Sequence, residues 1–195
     1  MLKEIIGFIA AALAFVAYGP YIRDAIKGIT KPHPYSWFIW GLITAIIFAL
    51  QITHEAGAGA YVTLTVAVLS FVICGIGFKK GIKDITVLDT ICFILALGAT
   101  GVWLFAKQPT LSMVLLVAID MLGFIPTVRK AWHKPQEETL FTWWFNGLRH
   151  AVSLFAIQRY SLISLLNPVV WTMANAIFSL VLIIRRRHAE SKQLS

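Results

Sequence analysis

Gly19-Pro20-Tyr21-Ile22-Arg23-Asp24-Ala25, followed by Tyr35-Ser36-Trp37-Phe38-Ile39-Trp40-Gly41-Leu42, decides the fold, because the pattern returns later in the chain. An ungapped shift of 106 residues superposes Pro20 on Pro126, Arg23 on Arg129 and Ala25 on Ala131. The same shift superposes Trp37 on Trp143, Gly41 on Gly147 and Leu42 on Leu148. Lys27 with His133, Tyr35 with Phe141 and Ser36 with Thr142 are near matches. Two apolar helices share leucines readily. They do not share Pro, Arg and Trp in register by chance, so the chain reads as an internal duplication.

The units being duplicated are long apolar helices. Of the 195 residues 58% are hydrophobic and only 13% are charged, against about 25% in a soluble domain. Seven predominantly apolar runs are each long enough to cross a ~30 Å hydrocarbon core. They are helix 1 (Glu4 to Ala25), helix 2 (Tyr35 to Thr53), helix 3 (Ala58 to Phe78), helix 4 (Thr86 to Ala106), helix 5 (Leu111 to Ala131), helix 6 (Leu140 to Gln158) and helix 7 (Ile163 to Arg185). Pro- and Lys-containing breaks separate them, such as Thr30-Lys31-Pro32-His33-Pro34 and Lys134-Pro135-Gln136-Glu137-Glu138. The expected fold class is an all-α polytopic membrane protein. Residues 1–80 form a first three-helix repeat, 81–108 a linker with helix 4, and 109–195 a second three-helix repeat with a short basic tail. Lys3 followed by Ile5 to Val16 resembles a leader, but this segment belongs to the duplication and reads as a structural helix.

The net charge of +8 sits in short segments between the runs, which argues for anionic lipid and against nucleic acid. The connections are short, so the distribution of cations orients the chain. One side carries Arg23, Lys27, Lys31, Lys79, Lys80, Lys83, Arg129, Lys130, Lys134, Arg185, Arg186, Arg187 and Lys192. The other carries Lys3, Lys107 and Arg159, and Arg149 lies within helix 6; these four and the first thirteen account for all 17 cations. The N-terminus is therefore expected outside and the C-terminus in the cytoplasm, in the plasma membrane. Three helices are an odd number, and the single helix 4 gives both triplets the same orientation. Substrate paths run along the interface of such parallel repeats. Cys74 and Cys92 lie in apolar runs without metal-ligand spacing, and no cofactor or metal is called for. There is no H-E-x-x-H, no nucleophile elbow and no pair of helical carboxylates, so no enzyme is expected. The oligomeric state is left open.

Three plus one plus three helices, with Gly19-Pro20-Tyr21-Ile22-Arg23 and its second copy Ile125-Pro126-Thr127-Val128-Arg129, resemble the SWEET sugar facilitators and PQ-loop proteins. Tyr21 and Thr127 stand where that family's glutamine does. The resemblance implies a transporter that moves a small polar solute, a sugar or similar metabolite, by alternating access. It also implies hinges at Pro20 and Pro126 and a substrate-lining role for Asn175 of helix 7. Trp37-Phe38-Ile39-Trp40 is similar to the W-x-x-W of bacterial nicotinamide riboside transporters, which makes a vitamin or nucleoside a second candidate solute. A receptor or sorting protein of the same plan is a further alternative.

The residues themselves point to the second repeat. Asp120 lies about ten residues into helix 5, and Arg149 and His150 about ten residues into helix 6. A charge at the bilayer centre costs about 2.5–3.5 kcal/mol, so it faces an interior or a partner, and Asp120 and Arg149 would neutralise each other. Ala14 and Ile43 occupy the equivalent positions of the first repeat, so the site is asymmetric. Thr142, Asn146, Arg149 and Ser153 share one face of helix 6, and Asn167, Trp171, Asn175 and Ser179 one face of helix 7. These polar stripes serve either a ligand or helix packing. Trp37, Trp40, Trp143 and Trp144 lie near the cytoplasmic ends of helices 2 and 6, as a gate or as an interfacial aromatic belt.

Overall fold

A computed structural model describes residues 2–53, 59–81, 83, 85–105, 108–155 and 162–193. Lys107 and Arg159 lie outside the described residues, as does the side chain of Ser153. The described residues form seven α-helices and no strand. These are α1 (Leu2–Ile26), α2 (Pro34–Thr53), α3 (Gly59–Lys80), α4 (Val87–Phe105), α5 (Pro109–His133), α6 (Leu140–Phe155) and α7 (Leu162–Gln193), with a short 3₁₀ turn at Pro135–Glu137. Two stretches, Thr110–His133 and Leu165–Ala189, are long and apolar enough to cross a membrane, and Pro34–Ala49 and Val87–Val102 are shorter apolar stretches.

Local chemistry sets the helix ends. Gly28 adopts φ +74°, which a side chain would resist, and the N–H groups of Ile29 and Thr30 close back on the Asp24 carbonyl at 2.9 and 3.2 Å. The start of α4 is a reciprocal cap. The Asp89 carboxylate accepts the Thr86 N–H at 2.8 Å, and the Thr86 hydroxyl accepts the Asp89 N–H at 3.3 Å. The expected basic tail is instead helical. α7 continues past Arg185 to Gln193, and Arg185 and Arg186 anchor it by bonding carbonyls at the end of α5 and in the turn that follows it.

The two triplets pack alike. In the first, α3 lies between α1 and α2; in the second, α7 lies between α5 and α6. The seams between triplets also correspond, α1 against α6 and α5 against α2. Residues 106 apart perform the same packing task. A Cβ on Gly41 would stand 2.9 Å from the Phe71 ring on α3, and one on Gly147 would stand 3.2 Å from Asn175 on α7. Each glycine thus lets the second helix of its triplet approach the third. The carbonyls of Ile26 and Trp132, also 106 apart, each accept from a cation on the third helix of their triplet, Lys80 at 2.8 Å and Arg185 at 2.9 Å, the donors being one residue out of register.

The unpaired helix, α4, packs on α5 and on α2. Tyr35 stacks on Phe93 with centroids 4.4 Å apart, and the Arg129 guanidinium grips Asp89 with two bonds, of 2.8 and 2.6 Å. Asp89 is fully buried, so removing its carboxylate strands a charge and uncaps α4 together. Asp89→Ala is expected to destabilise the fold by about 3–5 kcal/mol. A thermal unfolding midpoint unchanged from the parent would show that the pair contributes nothing.

Candidate functional site

A cavity of about 260 Å³ lies between the triplets and is lined by every helix except α4. All six residues expected to bind a ligand face it: Asp120, Asn146, Arg149, His150, Trp171 and Asn175. Trp37, Trp40 and Trp143 face it as well. These three indoles are buried, at 2%, 8% and 3% exposure, so they do not form an interfacial belt; Trp144, at 57%, is on the surface. Helical geometry accounts for the grouping. Trp37, Trp40 and Thr44 fall on one face of α2, and Thr142, Asn146 and Arg149 on one face of α6.

The tryptophans form walls at steep angles. The Trp40 ring makes interplanar angles of 87° with Trp37, 68° with Trp143 and 76° with Trp171, at centroid distances of 5.0, 5.9 and 5.8 Å. Every one of the four indole N–H groups is used by the protein. Trp37 donates to the Tyr21 hydroxyl (3.2 Å) and Trp40 to the Asp120 carbonyl (3.3 Å). Trp143 donates to Glu138 (2.9 Å) and Trp171 to the Asp120 carboxylate (3.2 Å). His150 lies nearly parallel to Trp171, at 18° and 6.2 Å.

Asp120 and Arg149 do not neutralise each other. None of the described ion pairs joins them. α7 lies between their helices, and each charge reaches the cavity from its own side. Arg149 instead places one terminal nitrogen 3.4 Å from His150. The polar lining is left with unused capacity. The side-chain oxygens of Asn146, Asn167, Asn175, Ser70 and Thr142, and Nε of Arg149, are buried without a hydrogen-bond partner among the described residues. Buried polar groups are rarely left unpaired in folded proteins, so this clustering sets the cavity lining apart from the rest of the described interior.

Asn167, of the α7 polar stripe, lines the cavity too, as do Tyr18, Thr44 and Ser70, which are not among the expected ligand contacts. A signal existed for Thr44, which follows Trp37 and Trp40 on the same helical face. Pro20 and Pro126 lie inside α1 and α5, and each helix runs on past its proline, to Ile26 and His133. Pro168 adds a third interior proline, in α7.

Beneath Trp37 and Trp143 the triplets are joined by a buried polar collar. Thr139 donates to Asp24 at 3.1 Å and its hydroxyl lies 2.6 Å from that of Thr30. Lys31 pairs with Glu137 at 2.6 Å, and its N–H donates to the Glu137 carbonyl at 3.0 Å. Lys130, fully buried, pairs with Glu138 and donates to the Lys31 carbonyl at 2.5 Å. The cations expected to mark a face toward lipid are therefore partly structural. Arg129, Lys130, Lys31 and Arg186 bond protein groups in this collar, and Arg186 also reaches the Glu138 carbonyl.

No family, curated protein or solved structure matches the chain.

One member of the collar titrates in an accessible range. His33 is fully buried, with Nε2 3.5 Å from Asp89. Burial pulls its imidazole down to about 4, and Lys130 and Arg129 act in the same direction against the opposing pull of Asp89. The unfolded chain, with a pKa near 6.5, binds this proton before the folded one does. Stability is thus full above about pH 6.5 and falls as the pH drops toward 4, by on the order of 3 kcal/mol from this group. The unfolding midpoint is expected to fall between pH 7.5 and pH 5, and to fall less in His33→Gln. Equal shifts in both proteins would assign the acid sensitivity elsewhere.

Proposed function

We propose that the chain is a membrane transporter that moves a small polar solute by alternating access between its two three-helix repeats, on the plan of the SWEET and PQ-loop proteins. All seven helices span the bilayer in this reading, with the N-terminus outside and the collar on the cytoplasmic side, facing anionic lipid. Large apolar side chains cover the outside of the bundle, among them Phe105 at 83% exposure and Val87 at 76%, and such a surface suits hydrocarbon better than water.

The observation that carries the proposal is the position of the cavity. It lies at the meeting of two like-packed triplets, where transporter repeats bind their cargo. One end is sealed by bonds from one triplet to the other, which relative movement of the triplets would break. Trp37 and Trp143, a repeat-related pair, form its floor, with Trp40 beside them as a gate. Pro20 and Pro126 sit at matching depths in α1 and α5, where each removes a helical hydrogen bond and permits bending.

The test is uptake by proteoliposomes of radiolabelled sugars, amino acids, betaines and nucleosides. At least one solute is expected to enter faster than into empty liposomes, and Asn175→Ala to slow it about tenfold by removing a buried polar contact worth ~1–2 kcal/mol. Saturable binding with no uptake of any solute would replace transport with a receptor function.

A further inference from the structure

We infer that the cavity selects a small zwitterion whose positive end is an alkylated ammonium and whose negative end is a carboxylate. The inference rests on the binding role proposed above for this cavity, and it names the class of ligand.

Because Trp37, Trp40, Trp143 and Trp171 all spend their indole N–H groups on protein oxygens, they have no donor left for a ligand. What remains is the π surface, whose potential is negative. An ionised Asp120 has the same sign, and it holds two of the walls itself, Trp171 through its carboxylate and Trp40 through its carbonyl. Four π surfaces and a carboxylate around one space attract a cation. A diffuse alkylated ammonium suits such a space, because it seeks faces and needs no acceptor for N–H bonds.

Arg149 supplies the opposite charge. It reaches the same cavity, is not ion-paired to Asp120, and leaves Nε buried without a partner. A guanidinium presents a fork of donors that matches a carboxylate. A ligand with only a positive charge leaves Arg149 uncompensated, and one with only a negative charge leaves Asp120 so. A neutral polyol compensates neither. A zwitterion brings a counter-charge to each, and both protein charges come from the second triplet, so the ligand has a defined orientation.

The test is binding to the full-length protein in detergent, read by quenching of intrinsic tryptophan fluorescence and by calorimetry. The probes are glycine betaine, choline, propionate, alanine and glucose. Glycine betaine is expected to bind saturably, with choline, propionate and alanine each at least tenfold weaker and glucose without effect. Arg149→Gln is expected to remove the preference for betaine over choline while choline still binds, and Asp120→Asn to weaken both about tenfold. Because Asp120→Asn also alters the acceptor that holds the Trp171 indole, Trp171→Phe, which removes that bond but keeps the carboxylate, serves as its folded control and retains the betaine-over-propionate preference. Glucose binding as tightly as betaine, alanine matching betaine, an unchanged preference in Arg149→Gln, or no binding of betaine would each overturn the inference. Betaine binding without uptake would preserve it and defeat transport; uptake of a neutral sugar alone would do the reverse.

Discussion

An ammonium group buried away from water must be surrounded by oxygen, and much of this structure follows from how Lys130 meets that demand. Its partners are the Glu138 carboxylate and the carbonyls of Lys31 and Glu137. They belong to the connection before α2 and the connection before α6, so a single side chain at the end of α5 ties both triplets together. Glu138 in turn holds the indole of Trp143, a wall of the cavity. The sealed end and the cavity therefore share one chain of bonds. Removing one member of a buried pair costs about 3–5 kcal/mol, since the other charge is stranded. Small changes in the collar are thus transmitted to the cavity wall.

The position equivalent to Lys130 in the first triplet is Asp24, and the contrast is instructive. Both side chains reach across to the connection that precedes the second helix of the other triplet, Asp24 to Thr139 and Lys130 to Lys31. The geometry is repeated while the charge is inverted. The duplication thus maintains the shape of the seam, and each copy has been free to choose its chemistry. The cavity shows the same division: repeat-related Trp37 and Trp143 shape it, whereas Asp120 and Arg149 replace Ala14 and Ile43 to charge it.

The parts of the molecule that depend on periodicity were legible in the sequence. Apolar run length and the 106-residue shift indicated seven helices in two like triplets. The i, i+3 spacing of Asn146 and Arg149 and the i, i+4 spacing of Trp171 and Asn175 placed the polar faces that line the cavity. The parts that depend on which helices touch were not legible. Asp120 and Arg149 were paired on depth alone, but depth carries no information about azimuth, and α7 stands between their helices. The collar was read as a surface because Lys and Arg in loops usually are. Its burial follows from acids arriving from two segments, Glu137 and Glu138 from the connection before α6 and Asp89 from α4, which no local pattern shows. The Thr86–Asp89 cap was a missed local signal, since Thr-x-x-Asp before an apolar run is a recognisable helix start.

α4 gives the bundle a mechanical handedness. It lies across the seam between α2 and α5, stacked on Tyr35 from one triplet and gripped by Arg129 from the other. No described helix covers the opposite seam, between α1 and α6. The molecule is built like a book, with α4 bound along one side as a spine and, on the other side, α1 and the start of α6 fastened at one end by the Thr139–Asp24 bond. Nearly symmetric halves are thus joined asymmetrically, by a whole helix along one seam and by a clasp at one end of the other.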